Sequence, residues 1–190
     1  MKNIPLLDHE NAERILEEGW LLFQQKGYRG VTIDALCARC QLSKPTLYYY
    51  YQNKENLFVQ VLEHKLHDFR LAAEQSGTLA ERLESVAGAI LESFKTEYSA
   101  LMRDREHIKT TENQNKIRKA FHEELFGPLD TIMQLGIEQN QLVGDSSETL
   151  TLIFLGIINN FIGKAADMKM QNSSLAKKLT TYFLQGTAKR

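Results

Sequence analysis

The side chains with the most chemistry to offer crowd one stretch, SKPTLYYYYQNKENLF, Ser43 to Phe58. Four tyrosines in a row, Tyr48 to Tyr51, stand beside a proline and between Lys44 and Lys54. On a helix, successive side chains turn by about 100°, so no single core face takes all four rings. Part of this aromatic collar must point outward, offering hydroxyls and ring faces to a partner. Nearby, Cys37 and Cys40 have CxxC spacing, and His64 and His67 form an HxxH pair. Together they invite a metal or redox reading. The separation of the two pairs is far longer than a zinc finger's, and free cysteine packs as a small hydrophobe. We read both cysteines as packing residues with no metal site; a redox switch is the alternative. The sequence contains no nucleophile elbow, glycine-rich phosphate loop or HExxH helix. It does not read as an enzyme, and nothing in it asks for a cofactor.

Positioning such a stretch is work for helices. The chain has 190 residues, 43% of them hydrophobic and 25% charged, which suits a soluble globular protein with a real core. Periods near 3.6 recur and strand alternation is scarce, so the fold class is all-α. Asp8 is placed to cap a first helix, with Ile15, Leu16, Leu22 and Phe23 on its apolar side and Gly27 at its end. Thr32 caps a short helix, IDALCARC, whose inward residues are Ile33, Leu36, Cys37 and Cys40. QLS breaks it. Ser43 caps the next helix, with Pro45 in its first turn, where a missing N–H costs little. Asn53 caps a fourth, running through Leu57, Val61, Leu62 and Phe69 to about Glu74. Two short helices separated by a three-residue break have the spacing of a helix-turn-helix.

The expected organisation is a helix-turn-helix head over 1–52, a connecting helix over 53–75 and a larger helical domain over 76–190, about nine helices in all. In that last part the patterns run Leu79–Lys95, Glu97–Lys109, Glu112–Gln139, Ser146–Met168 and Ser173–Thr187, with a kink expected at Pro128. The polar run Met102 to Lys119 reads as a solvated face and connection, or as a source of pocket groups such as His107. Leu150 to Ile162 is too short and too interrupted by asparagine to span a bilayer. Being apolar almost all round, it is buried, either in the chain's own core or at a dimer interface.

Net charge is −1, but between Lys26 and Lys54 five basic residues face Asp34 alone, giving +4 there and −5 elsewhere. A local basic patch on a near-neutral chain suits a DNA-contacting face. The N-terminus, MKNIPLLDHENAERI, lacks an apolar core and does not read as a signal peptide. Two cysteines make no secreted disulfide framework. We expect a cytoplasmic protein of bacterial type with no membrane partner.

Thr32-Ile33, Leu36-Cys37, Cys40 to Tyr51, Lys54-Glu55 and Leu57, with Ile15-Leu16, Leu22-Phe23 and Gly27 upstream, resemble the DNA-binding head of the tetracycline-repressor (TetR) family. That family's pattern is a Thr at the second helix, Ile-Ala-x-x-Ala-Gly-Val-Ser, Thr-Leu-Tyr-x-Tyr-Phe, then Lys-Glu-x-Leu, and the likeness covers about residues 10–62. Gln41 stands where the family has Gly, Gly19 where it has Ala, and Tyr51 where it has Phe. The resemblance implies a helical ligand-binding and dimerisation domain behind the head. It also implies a ligand-responsive repressor that binds a pseudo-palindromic double-stranded operator as a homodimer and is released by a small-molecule inducer. The DNA-facing set is Thr32, Ser43, Lys44, Pro45, Thr46, Tyr48, Tyr49, Tyr50 and Lys54. Lys44, at the first turn of the recognition helix, reaches guanine O6 or N7. Pro45 and Thr46 meet a thymine methyl, and the hydroxyls and Lys54 bond phosphates. Leu47 and Tyr51, four apart, point inward. Pocket candidates are Phe94, Tyr98, Met102, His107, Phe121 and Phe154. Dimer candidates on the last two long helices are Phe154, Ile157, Ile158, Phe161, Leu179 and Phe183. The competing reading is an all-α small-molecule-binding or scaffold protein whose head no longer reads DNA, for which Gln41 in the turn is the support.

Overall fold

The computed structural model describes residues 9–94, 104–144 and 146–187, with the side chains of 9, 10 and 105 excepted. Asp8, the expected first cap, lies outside them, as do Tyr98 and Met102. Every regular element longer than one turn among the described residues is helical, as the 3.6-residue periods predict. The chain sorts into two compact units, each discontinuous in sequence. The first joins Met1–Lys65 to Ala100–Lys119, and the second joins Leu66–Ser99 to Ala120–Arg190.

In the first unit, α1 (His9–Gly30) is broken at Gly27, whose φ of 66° and ψ of 169° are non-helical. The next two helices, α2 (Ile33–Cys40) and α3 (Lys44–Tyr51), have eight residues each. Helices that short are marginal alone, so their ends must be satisfied locally. Thr32 Oγ1 accepts the Ala35 N–H at 3.1 Å and Ser43 Oγ accepts the Thr46 N–H at 3.3 Å. Asn53 Oδ1 accepts the Asn56 N–H at 2.8 Å and so caps α4 (Lys54–Ala73). All three caps stand where the sequence places them. Gln41 takes the left-handed conformation, φ 55° and ψ 39°, that a glycine would adopt more cheaply. The turn between α2 and α3 is therefore kept. Gly19 also has a reason: a Cβ there would lie 2.8 Å from Val61 Cγ2, so its absence lets α1 approach α4. Phe23, Leu36, Leu47, Leu57 and Phe58 fill the core of the unit.

In the second unit, α5 (Leu79–Ser93) starts at a capping box in which Thr78 and Glu81 satisfy each other's backbone N–H. The expected helix Glu112–Gln139 proves to be α6 (Thr111–Phe121), which belongs to the first unit as far as Lys119, then a π-helical turn (His122–Phe126) and α7 (Gly127–Glu138). Pro128 has no N–H to give. The ladder instead winds in one more residue, and the Gly127 N–H bonds the His122 carbonyl five residues back. The helix α8 (Ser147–Phe161) stops short of the expected Met168, because Ile162 turns to extended backbone and Gly163 has φ 75°. Last comes α9 (Asn172–Thr187). Of the expected helix Glu97–Lys109, the described part begins helical at Asp104, tightens to a 3-10 turn at Arg105–His107 and ends in non-helical backbone at 108–109. The pairs α5 with α9 and α7 with α8 close the core, where Phe69 stacks on Phe94 and Phe154 meets Phe183 edge-on. No helix among the described residues is long and apolar enough to cross a membrane.

Candidate nucleic-acid interface

The α3 helix sorts its tyrosines by direction. Leu47 is fully buried and Tyr51 is 5% exposed, whereas Tyr48 and Tyr49 are 42% and 63% exposed. Tyr50 is half-buried, its ring edge-on to Tyr49 with centroids 5.0 Å apart. Burial, and after it the neighbouring Cys40, pushes the Tyr51 phenol up to about 12, so it stays neutral. Outward from the same helix come Ser43, Lys44 and Pro45, all exposed or half-exposed, while Thr46 is half-buried with its hydroxyl 2.8 Å from that of Ser43. The sequence-predicted residues Ser43, Lys44, Pro45, Tyr48 and Tyr49 thus share one exposed face. Thr32, at the head of α2, is exposed as well.

Two basic side chains of the patch are already engaged. Lys44 Nζ lies 2.7 Å from Asp34 Oδ1, and that bond and charge hold the ammonium above its ordinary range. Arg39 pairs with Glu18 of α1. Both partners of the Lys44–Asp34 pair are exposed, so the contact is weak and readily exchanged. Lys54 behaves differently. Its ammonium lies 4.5 Å from the centroid of the Tyr28 ring, a cation–π contact. Burial draws its pKa below the usual lysine value, against the pull of Asp104.

What surrounds Lys54 is not foreshadowed by the sequence. Residues 104–113, which read as a solvated connection, return to the head. Asp104 Oδ2 accepts the Tyr28 N–H at 2.8 Å, beside Gly27, where a Cβ would come within 3.3 Å of that oxygen. In the other direction, Glu55 accepts the Lys109 N–H at 3.2 Å, the Thr110 N–H at 3.0 Å, the Thr110 hydroxyl and Asn113 Nδ2 at 3.1 Å. Burial works against this carboxylate, but the donors from Thr110, Lys109 and Asn113 prevail and hold it below its ordinary value. Asn113, itself 5% exposed, also donates to Asn56 Oδ1 at 2.9 Å, and Asn56 Nδ2 donates to Gln52 Oε1 at 3.2 Å. The sequence signal for this clasp is Glu55, a residue of the Lys-Glu-x-Leu pattern.

Cys37 and Cys40 are free and buried, as their packing reading requires. Burial, then Glu18, raises the Cys40 thiol to about 11, and burial, then Asp34, raises Cys37. At neutral pH both are thiols, the unreactive form. His64 faces Glu17 at 3.5 Å, and His67 bonds Glu124 at 3.1 Å in the second unit. No group of three or more metal-ligating side chains is assembled among the described residues.

The pocket candidates do not converge. Half-buried His107 lines a cleft of about 310 Å³ in the first unit with Tyr28, Lys54 and Lys109. Phe94 and Phe154 are packed into the core of the second, and Phe121 is half-buried there. A cavity of about 490 Å³ in that unit is lined instead by Glu92, Ala165, Ala166, Met170, Gln171, Asn172 and Ser173. The dimer set needs correction too. Phe154, Ile158, Leu179 and Phe183 are each no more than 3% exposed within the single chain. They have no surface left to give a partner; Ile157 and Phe161 are half-buried. What those helices expose is Leu152, Ile153 and Tyr182.

Residues 15–61 match the family model of bacterial regulatory proteins, tetR family. The biofilm operon HTH-type negative transcriptional regulator IcaR of Staphylococcus epidermidis is 33% identical over 57 residues, 30% of this chain and 31% of that relative. The chain thus matches about a third of that regulator's length. An uncharacterized HTH-type transcriptional regulator of Bacillus subtilis, YhgD, is 24% identical over 182 residues, 93% of each chain. Among solved structures, AibR in complex with isovaleryl coenzyme A and operator DNA superposes with a TM-score of 0.68 at 20% identity, over 90% of this chain and 97% of that one. At that identity the likeness is one of fold.

Proposed function

We propose that the chain, whose residues 15–61 match the model of the tetR family, is a ligand-responsive transcriptional regulator of that family, a repressor. In this reading a homodimer binds a pseudo-palindromic operator, each head setting α3 in a major groove, and a small-molecule inducer releases it. The observation that carries the reading is the division of α3. Leu47 and Tyr51 anchor it, and Ser43, Lys44, Pro45, Tyr48 and Tyr49 face solvent on the opposite side. Lys44 reads a base edge; Tyr48, Thr32 and Lys54 contact phosphates; Tyr49, Tyr50 and Thr46 complete the groove face.

Selecting bound sequences from random DNA tests this directly. A two-fold symmetric motif is expected, and no enrichment would support the scaffold reading instead. Lys44→Ala should weaken binding by about 1–3 kcal/mol and relax preference at one position per half-site.

The homodimer contact is assigned to the exposed apolar stripe of α8 and α9, Leu152 and Ile153 with Tyr182. Gly156 and Gly186 on the same helices leave open space where a Cβ would stand. Ile153→Glu should give a monomer in sedimentation. The inducer site is assigned to the second unit. Acyl-coenzyme A thioesters are the first class to screen, because AibR is solved with one.

A further inference from the structure

Residues 104–113 reach back to two places in the head, the Tyr28–Lys54 contact and the end of α3. One relay runs from Asp104 through the Tyr28 N–H to the Tyr28 ring and on to the Lys54 ammonium resting over it. A second runs from Glu55 through buried Asn113 and Asn56 to Gln52, the residue that closes α3 with φ 62°. Every atom in both relays lies in the first unit.

We infer that residues 104–113, outside the helix-turn-helix, belong to the DNA-binding machinery as a brace: Asp104 is a positioning residue for Lys54, and Asn113 one for the end of the recognition helix. The physical case starts from entropy. A lysine side chain has several rotamers, and holding one of them costs free energy at the moment of binding. The Tyr28 ring fixes the Lys54 side chain beforehand, but the ring is itself set by the backbone just after Gly27, a residue with φ 66° and many alternatives. The hydrogen bond from the Tyr28 N–H to Asp104 selects one of them. The carboxylate sits where Gly27 has no side chain to exclude it.

The inference rests on the DNA-binding reading above, and it makes a prediction of unusual sign. Removing an acid near a phosphate-contacting surface should, on charge alone, tighten DNA binding. A brace predicts the reverse. The experiment measures operator affinity of the full chain against salt concentration, using the sequence selected by the wild type. It compares the wild type, Lys54→Ala, Asp104→Ala, Asp104→Asn and the double variant Lys54→Ala/Asp104→Ala.

The slope of log affinity against log salt should become shallower by about 0.9 for each phosphate that the protein no longer neutralises. Asp104→Ala should bind more weakly and flatten the slope as Lys54→Ala does. The double variant should be no flatter than either. Asp104→Asn keeps an acceptor for the Tyr28 N–H and should restore the wild-type slope, which a general loss of folding would not allow. If Lys54→Ala flattens the slope while Asp104→Ala binds as well as the wild type or better, with full slope, the brace is wrong and the DNA reading stands. If the wild type selects no sequence, both fail together.

Discussion

In the first unit α3 is eight residues long, and each of its ends is closed by a particular polar contact or by a left-handed residue. In the second, α8 and α9 run for 15 and 16 residues and meet through Phe154, Phe183 and their aliphatic neighbours. Even polar groups are treated differently. Buried Asn113 of the first unit has both a carboxylate and an amide acceptor for its Nδ2. The hydroxyls of Thr151 and Thr180, fully buried in the second, have no hydrogen-bond partner among the described residues. For α3 itself the difference follows from helix length. A short helix gains too little from burying its stripe to hold its own ends, so side chains must specify it. A long amphipathic helix gains enough from apolar area to carry an unpaired hydroxyl.

Substitutions can break or sharpen this contrast. Phe154→Ala, in the second unit, should cost about 3–5 kcal/mol, the cavity cost of a fully buried ring, read as a lowered urea midpoint in far-ultraviolet circular dichroism. Tyr51→Ala, in the first, should cost about 3 kcal/mol. Trp20, the single tryptophan and buried in α1, reports it by fluorescence. A wild-type fluorescence midpoint there would mean that α3 does not depend on its inward pair. Asn113→Ala should lose about 1–3 kcal/mol by stranding its acceptors.

Thr180→Val should go the other way and gain up to about 1 kcal/mol, since it deletes a polar group with no partner. A destabilisation instead would show that the Thr180 hydroxyl is paired in solution, and the contrast between the units would weaken. The smallest effect concerns pH. Glu55 has a folded pKa held below its ordinary value of 4.5, so its contribution is fully present above that value. It is lost as pH falls through the lower, folded value. Glu55→Gln should remove that part of the acid sensitivity. Equal steepness of the wild-type and variant stability profiles on acidification would count against the Glu55 clasp.

Much of the head is legible in its residues because its determinants are local. Thr32, Ser43 and Asn53 act on N–H groups three residues away, and caps of that kind leave a mark at fixed spacing. The pairing of Leu47 with Tyr51 is likewise set by the helical period. The connection over 104–113 leaves no such mark, since the bonds from Glu55 to Lys109 and Thr110 join residues more than fifty apart. For the same reason the sequence offers Phe154, Ile158, Leu179 and Phe183 as a surface for a second chain, although the fold buries them. Periodicity identifies an apolar face but not what covers it.

By itself, then, the sequence determined the helical class, the order of the head's three helices, the caps at Thr32, Ser43 and Asn53, and which tyrosines point outward, because each depends on a helical period or an N–H within one turn. Only the tertiary structure decided that Asp104 and Glu55 clasp the head, that Gly19 is missing a Cβ so that Val61 can approach, and that the phenylalanines at 154 and 183 are used up inside one chain. Those are meetings of residues far apart in sequence, and they are settled by packing and hydrogen-bond geometry rather than by any pattern along the chain.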